Sequence, residues 1–216
     1  MRFAAVVASV AFVAAPARAA VPKPEEVLGF RPGADYKLAD YPAIVKYFKA
    51  LDAASDRVSV QEIGPTAEGR TMIVAFITSE ANQKKLDRYR EISRRLALAR
   101  DLDDAQARAL AAEGRAIVWI DSGLHSTEVA HAQHAPELAY RVATEESEEM
   151  RRIRDETILV QVPVMNPDGL DKVVAWYTKN LGTPYEVSPM VELYQKYVGH
   201  DNNRDWYMFN MPESRN

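Results

Sequence analysis

The sequence predicts an α/β fold in which helices flank a mixed, mostly parallel sheet. Two short apolar runs, Ala116–Asp121 and Thr157–Val164, are typical of strands covered on both faces. A helical pattern from about Ser126 to Ala143 lies between them, and strand, helix, strand in this order favours parallel pairing. Earlier, an alternating stretch at Val58–Ile63 and an apolar one at Arg70–Thr78 flank a glycine-containing turn, which predicts a hairpin.

Two helical regions accompany these strands. Asp40 can cap a helix over about Tyr41–Ala54, which has an apolar stripe on one face. A long polar region has apolar residues at helical spacing from Leu86 and is expected to break near Asp101 and resume through Leu110. We therefore predict one domain over residues 40–216. Residues 20–39 hold several prolines and glycines and are predicted to be an extended leader on its surface.

Residues 1–19 have the three-part layout of a secretory signal peptide. A basic start at Arg2 precedes the apolar stretch Phe3–Ala15, and Ala17-Arg18-Ala19 supplies a small-residue cleavage pattern. The apolar stretch is too short to cross a bilayer core of about 30 Å as a helix. A short N-terminal anchor is the alternative. We predict an exported protein, periplasmic or extracellular, with no membrane partner after cleavage.

Composition excludes several kinds of site. The chain has 216 residues and no cysteine, so disulfides, thiolate catalysis and cysteine-type zinc sites are excluded. Any zinc would have to use histidine and carboxylate ligands. The formal net charge of −4 argues against nucleic acid as a partner, because proteins that bind it present a basic face.

A candidate metal site follows the first buried run. His125 and Glu128 are three residues apart, directly after a Ser-Gly turn, and at that spacing an imidazole and a carboxylate can converge on one point. Zinc accepts both ligand types. His131 and His134 form an alternative pair, but His131 comes six residues after His125, which points it elsewhere on a helix. We favour packing or surface roles for these two.

Asn166-Pro167-Asp168-Gly169 follows the second buried run. This tetrapeptide is typical of a tight turn that ends a strand, and it can also shape the floor of a site. Ligand sites in such sheets cluster at the carboxyl ends of the strands, where both motifs are expected. We assign this motif no catalytic role.

The polar segment Gly199–Trp206 contains a third candidate. Arg204 offers a planar fork that matches a carboxylate, and the Asn203 amide can donate to the same group. A loop arginine paired with Asp201 or Asp205 explains the pattern equally well, and spacing alone leaves the two open.

In this order the motifs resemble those of the M14 metallocarboxypeptidases. His125-Ser126-Thr127-Glu128 resembles that family's zinc motif, Asn166–Gly169 its Asn-Pro-Asp-Gly, and Asn203-Arg204 its Asn-Arg pair. The turn Gly64–Arg70 is similar to the family's early hairpin turn, and the segment around Asn203 resembles a bacterial, exported branch. The resemblance runs from about Asp40 to the end of the chain.

The resemblance implies a function. One zinc ion would be held by His125 and Glu128 with a third, later histidine, and a bound water, deprotonated by a later glutamate, would attack the last peptide bond. Asn203 and Arg204 would bind the substrate's terminal carboxylate. The substrate would be a peptide or protein C-terminus.

The sequence departs from the family pattern at several points. No histidine follows Arg204, and His200, which precedes it, is a poor third ligand. The general-base glutamate is expected beyond Asn216, so no catalytic residue is assigned within this chain. Where the family places a carbonyl-polarising arginine, only Lys179 is cationic, and we leave that role unassigned.

These departures indicate the N-terminal part of a catalytic domain. We expect an incomplete sheet with one exposed strand edge, weak zinc binding and no hydrolysis by the isolated chain. The alternatives are a zinc amidohydrolase or deacylase on the same scaffold, or a non-catalytic exported binding protein.

Overall fold

A computed structural model describes residues 20–195 and 202–216 of the chain. The predicted signal peptide, together with His200 and Asp201, lies outside the described residues. The described part contains a four-stranded sheet in the order β1-β2-β4-β3. The strands are β1 (Val58–Pro65), β2 (Thr71–Ile77), β3 (Ala116–Asp121) and β4 (Thr157–Val162).

The pairing of the strands is mixed. β1 and β2 form the predicted antiparallel hairpin, and β2 continues antiparallel to β4. β3 lies parallel to β4, with Ala116 opposite Thr157 and Asp121 opposite Val162. The predicted α/β architecture with a mixed sheet is therefore confirmed. The parallel pair at β3 and β4 matters most below, because its two carboxyl ends meet at one edge.

Helices cover both faces of the sheet. On one face Phe48 and Ala139 belong to the apolar cluster that contains Leu159 of β4, and on the other Tyr89 and Leu110 belong to the cluster that contains Val160. The helices are α1 (Pro24–Leu28), α2 (Tyr41–Ala54), α3 (Glu80–Gln83), α4 (Leu86–Leu98), α5 (Asp104–Glu113), α6 (Ala130–Thr144), α7 (Glu148–Glu156), α8 (Pro167–Asn180), α9 (Asn202–Asp205) and α10 (Pro212–Arg215).

Several helix boundaries follow from local chemistry. The Asp40 side chain accepts from the Ala43 amide and caps α2, as predicted. The polar helical region breaks near Asp101, where Ala99 and Asp101 both have positive φ, and Asp103 caps the following helix. No helix in the described ranges combines the length and the apolar character that crossing a membrane requires.

Three predicted segments differ from the structure. The leader is not wholly extended, because Pro24–Leu28 forms a short helix with proline in its first turn. The helix expected from Ser126 begins only at Ala130. Asn166-Pro167-Asp168-Gly169 is not a tight turn but the start of α8, since the Asn166 side chain accepts from the Gly169 amide 2.9 Å away and Pro167 takes the first helical position.

The first apolar run was predicted to be covered on both faces, and that was wrong. β3 pairs only with β4 in the described sheet, and Ile117, Val118 and Trp119 keep 44, 41 and 53% of their surface exposed. β4, which lies between two neighbours, is buried almost throughout. β3 is thus an edge strand of the described sheet.

Candidate active site

The site lies where β3 and β4 end. Beyond the strands their backbones stay joined: Ser122 donates to the Val162 carbonyl at 3.0 Å, and Met165 donates back to the Ser122 carbonyl at 2.6 Å. Asn166 then donates to the carbonyl of Gly123 at 3.1 Å. The loop after β3 is therefore fixed to the start of α8 before any side chain contributes.

Gly123 lets the chain turn into this loop. Its φ of 64° lies in the left-handed region that glycine enters without strain. A Cβ here would come within 3.3 Å of a Val164 methyl and 3.4 Å of Ala132. The glycine of the motif therefore serves both the turn and the close packing beneath it.

The structure brings His125 and Glu128 together. The Nδ1 atom of His125 lies 3.2 Å from Oε2 of Glu128, and about half of the Glu128 side chain is exposed. The two residues lie in the loop before α6, so the convergence predicted from their spacing comes from a loop rather than from a helix. A metal-binding imidazole and carboxylate need such a shared, accessible point.

His131 was expected to point elsewhere, and this was wrong. Its Nδ1 lies 3.4 Å from the same Glu128 oxygen, because His131 follows Glu128 by three residues and its amide donates to the Glu128 carbonyl at 3.2 Å. His134 is different: its Nδ1 lies 2.6 Å from the His131 carbonyl, which can only accept, so this nitrogen donates to the backbone. Within residues 20–195 and 202–216, no three histidine or carboxylate side chains are grouped so that they could hold a metal ion.

Ser126 ties the metal-ligand loop (residues 124–129) to Asn166-Pro167-Asp168-Gly169. Its buried hydroxyl donates to the Asn166 carbonyl at 3.3 Å. A Cβ on Gly169 would lie 2.2 Å from that hydroxyl oxygen and 2.9 Å from the Ser126 Cβ. Glycine is therefore required for the close approach of α8 to the loop.

Asn202 brings the third motif to the same place. This asparagine is fully buried, accepts from the Asn166 amide group at 3.2 Å and donates to the Met165 carbonyl at 3.3 Å. The predicted carboxylate-binding residues, Asn203 and Arg204, follow it directly and are exposed on α9. Sequence reasoning missed Asn202, since nothing local distinguishes it from the polar residues around it.

Asp168, in the first turn of α8, binds the hairpin turn between β1 and β2. It accepts from the Thr66 hydroxyl at 2.7 Å, the Glu68 amide at 2.9 Å and the Arg70 guanidinium at 2.7 Å. Arg70 also donates to Asp171 at 2.7 Å. The turn Gly64–Arg70 is thereby bound to the first turn of α8.

Lys172 completes this anchor. Its ammonium lies 2.7 Å from Oε1 of Glu68. The hydrogen bond from Lys172, assisted by one from Arg70, holds the pKa of the Glu68 carboxyl below its ordinary value despite partial burial. We call Glu68, Arg70, Asp168, Asp171 and Lys172 the anchor cluster.

Three motifs of the expected kind and order thus meet at one sheet edge, and a family comparison agrees with them. The family model described as zinc carboxypeptidase, Peptidase M14, matches residues 44–215. The chain belongs to the M14 zinc carboxypeptidase family. The match covers the sheet, the metal-ligand loop and α9, and the family's description specifies zinc. None of the curated proteins matches the sequence.

Solved M14 structures have a similar fold. Carboxypeptidase A from Helicoverpa armigera is 15% identical, with a TM-score of 0.50 over 89% of this chain and 46% of that one. A metallo-carboxypeptidase from Burkholderia cenocepacia is 20% identical, with a TM-score of 0.47 over 81% of this chain and 35% of that one. This chain thus spans less than half the length of each structure. At 15% identity, the likeness to the Helicoverpa armigera structure concerns the fold alone.

Proposed function

We propose that this protein has the function of a zinc-dependent carboxypeptidase, an enzyme that removes residues from the C-terminus of peptides or proteins. The observation that carries the proposal is the 3.2 Å approach of His125 Nδ1 to Glu128 Oε2 at the carboxyl end of β3. Family membership supports hydrolysis of peptides. The contact of Asn202 with Asn166 supports recognition of a terminal carboxylate, because Asn203 and Arg204 directly follow Asn202.

His125 and Glu128 would hold one zinc ion. Their donor types match those that zinc prefers, and both lie on an accessible loop. Zinc in such a site supplies a Lewis acid and lowers the pKa of a bound water. The chain's own part is to orient the two donors: the loop is held by Ser126 and the backbone bonds to α8, and α8 is held by the anchor cluster.

Asn203 and Arg204 would bind the substrate's terminal carboxylate. A guanidinium fork and a neighbouring amide suit this group, and both side chains lie on the exposed side of α9. Buried Asn202 fixes the position of α9 relative to Asn166. This arrangement favours an exopeptidase, because a carboxylate is present only at the end of a chain.

The 216-residue chain is expected to bind zinc weakly and to hydrolyse nothing. The described residues contribute two donors, and three protein ligands are usual for catalytic zinc. Turnover would need a third zinc ligand and a general base in addition to these two donors. Purified chain that hydrolysed a C-terminal peptide bond would contradict this.

Zinc titration by calorimetry tests the metal site. His125→Ala and Glu128→Gln should each weaken zinc binding by at least about tenfold, since each removes one of two donors. His134→Ala is the matched control, because this histidine lies on the next helix and donates to the backbone. Zinc binding that survives both ligand substitutions unchanged, in folded protein, would overturn the proposal.

The carboxylate site can be tested separately by peptide binding. A peptide with a free C-terminus should bind about tenfold more tightly than its C-terminal amide, and Arg204→Gln should remove the difference. Arg90→Gln, on the exposed face of α4, serves as control. Equal binding of both peptides would favour an amidohydrolase or deacylase, which needs no free carboxylate.

We also propose that the protein is exported. The layout of residues 1–19 supports this. Expression of the full chain in a bacterium, followed by cell fractionation and N-terminal sequencing, should give a periplasmic or secreted product that begins near Ala20. A cytoplasmic product that retained Met1 would contradict it.

A further inference from the structure

The Glu128 carboxylate lies beside two imidazoles, of which the proposed function uses only one. Its Oε2 atom is 3.2 Å from Nδ1 of His125 and 3.4 Å from Nδ1 of His131. These are the side-chain contacts that Glu128 makes within residues 20–195 and 202–216. His125 is a proposed zinc ligand, whereas His131 has so far no role in the site.

The nitrogen of His125 that faces Glu128 cannot serve two purposes at once. An ionised carboxylate only accepts hydrogen bonds, so an imidazole nitrogen that bonds to it has to donate a hydrogen. A nitrogen that binds a metal ion has to offer a lone pair instead. His125 Nδ1 therefore stops donating to Glu128 when the two residues share a metal ion.

His131 can keep donating to Glu128 in that state. A carboxylate oxygen has two lone pairs, so Oε2 can accept a hydrogen bond from His131 while the carboxylate also binds a cation. A role as third ligand is not supported, because the described part of the chain groups no three histidine or carboxylate side chains that could hold a metal ion. The contact of His131 is thus with the ligand Glu128 rather than with the metal.

Hydrogen bonds on both sides fix the backbone of His131. It is the second residue of α6, and its amide donates to the Glu128 carbonyl at 3.2 Å. Its own carbonyl accepts from Nδ1 of His134 at 2.6 Å. The same turn of α6 is joined to the leader by Gln133, whose side chain accepts from the Ala39 amide and donates to the Ala39 carbonyl. A donor fixed on a helix can orient a carboxylate that lies on a loop.

We propose that His131 is a positioning residue of the metal site, whose Nδ1–H donates to the Glu128 carboxylate and holds it in place for the metal ion. The inference rests on the proposed function, because it takes His125 and Glu128 as the zinc ligands. Loss of a hydrogen-bond partner of a metal ligand typically lowers metal affinity by about 10–100-fold. His131 should therefore affect zinc binding without touching the ion.

Zinc titration of the full chain by calorimetry tests this role. His131→Ala should weaken zinc binding about tenfold, because Glu128 then has no side-chain donor left among the described residues. His131→Asn should recover most of the loss, since the asparagine amide nitrogen is as many bonds from the backbone as Nδ1 and can donate. His134→Ala is the matched control: it removes another imidazole from α6 and should leave the affinity unchanged.

NMR of the histidine ring nitrogens adds a readout that a merely structural role would not move. The nitrogen shifts show which ring atom carries the hydrogen, measured at about pH 8, where an ordinary histidine is neutral. His131 should carry its hydrogen on Nδ1 both without and with zinc, and should lose this preference in Glu128→Ala. His125 should carry its hydrogen on Nδ1 without zinc and lose it from that atom when zinc is added.

The possible results separate the role of His131 from the metal site itself. A tenfold loss in His131→Ala, its recovery in His131→Asn and a retained Nδ1–H on His131 support the proposal. Unchanged or tighter zinc binding in folded His131→Ala overturns it while the metal site stands. Loss of the Nδ1 hydrogen of His131 on zinc addition also overturns it, because the residue is then a ligand. If the unaltered chain binds no zinc, the metal site of the proposed function is overturned, and the positioning role with it.

Discussion

The carboxylates of the anchor cluster and of the metal-ligand loop differ in burial and in the groups that they contact. Asp168 in the anchor cluster is nearly buried and accepts three hydrogen bonds from the hairpin turn. Glu128 in the metal-ligand loop keeps 53% of its side chain exposed and contacts two histidines. The Asp168 carboxylate is occupied by hydrogen-bond donors and therefore stabilises the fold. The exposed Glu128 carboxylate, which lies beside two imidazoles, is accessible to a cation.

This difference separates the residues that stabilise the site from the residues that would bind a ligand. Binding sites need ligand side chains held in position by residues whose own contacts are satisfied. Here the contacts run in sequence from the hairpin to Asp168, from α8 to Ser126, and from Ser126 to the loop that carries His125. Substitutions at the anchor cluster should therefore act on stability, and those at the loop on binding.

The largest expected effect is on the anchor side. Asp168→Ala leaves the Arg70 guanidinium, the Thr66 hydroxyl and the Glu68 amide without their shared acceptor. Loss of one partner of a buried ion pair should lower the free energy of unfolding by about 3 kcal/mol, measured by urea denaturation.

A matched carboxylate on the surface provides the control. Glu91 pairs with Arg94 at 2.8 Å on the exposed face of α4, and Glu91→Ala should cost far less. Equal losses in the two variants would mean that the anchor cluster is no more than a surface ion pair.

The next largest effect should appear both in stability and in zinc binding, because Gly169 of α8 contacts Ser126 of the metal-ligand loop. Gly169→Ala places a Cβ where Ser126 lies, so the variant should lose about 1–3 kcal/mol of stability and also bind zinc more weakly. Ser126→Gly removes both clashing atoms, and the double variant should recover part of the stability. Normal zinc binding in Gly169→Ala would indicate that the loop does not depend on α8.

Much of the fold was predictable because its signals are local. The alternation in β1, the Asp40 cap of α2 and the break near Asp101 all depend on neighbours in the sequence. The start of α8 was mistaken for a turn because asparagine, proline and glycine serve both as turn residues and at helix N-termini. Composition also could not reveal that β3 has one neighbour in the described sheet, because an apolar run has the same sequence pattern in an edge strand as in a central one.

The candidate site likewise has contacts that the sequence predicts and contacts that it does not. The convergence of His125 and Glu128 follows from a spacing of three residues. The contact between Asn166 and Asn202 joins positions 36 residues apart, which no local pattern encodes, so it required a structure. The approach of His131 to Glu128 follows from the same three-residue spacing, and it was missed because His131 was compared with His125 rather than with Glu128.

A smaller effect concerns β3, the strand from which the metal-ligand loop extends. Val118 and Trp119 are exposed along its edge, and such a strand is a site for association between chains. Val118→Lys should reduce self-association, measured by sedimentation, with little change in stability. Leu98→Lys, at an exposed apolar position at the end of α4, should leave association unchanged. Similar reductions in both variants would point to general charge repulsion rather than to the strand edge.

The smallest effect expected is a pH dependence on the anchor side. The hydrogen bond from Lys172 lowers the pKa of Glu68 in the folded chain, so the folded state favours the ionised carboxyl more than the unfolded state does. The resulting stability is present above the unfolded value of about 4.3 and is lost as the pH falls through the lower folded value. Glu68→Gln should therefore flatten the acid side of the stability profile, followed by chemical denaturation between pH 6 and about pH 3. Lys172→Met removes the main cause of the shift and should flatten the profile similarly, while the double variant should add little. An acid slope that persisted in both single variants would place the titrating group outside the anchor cluster.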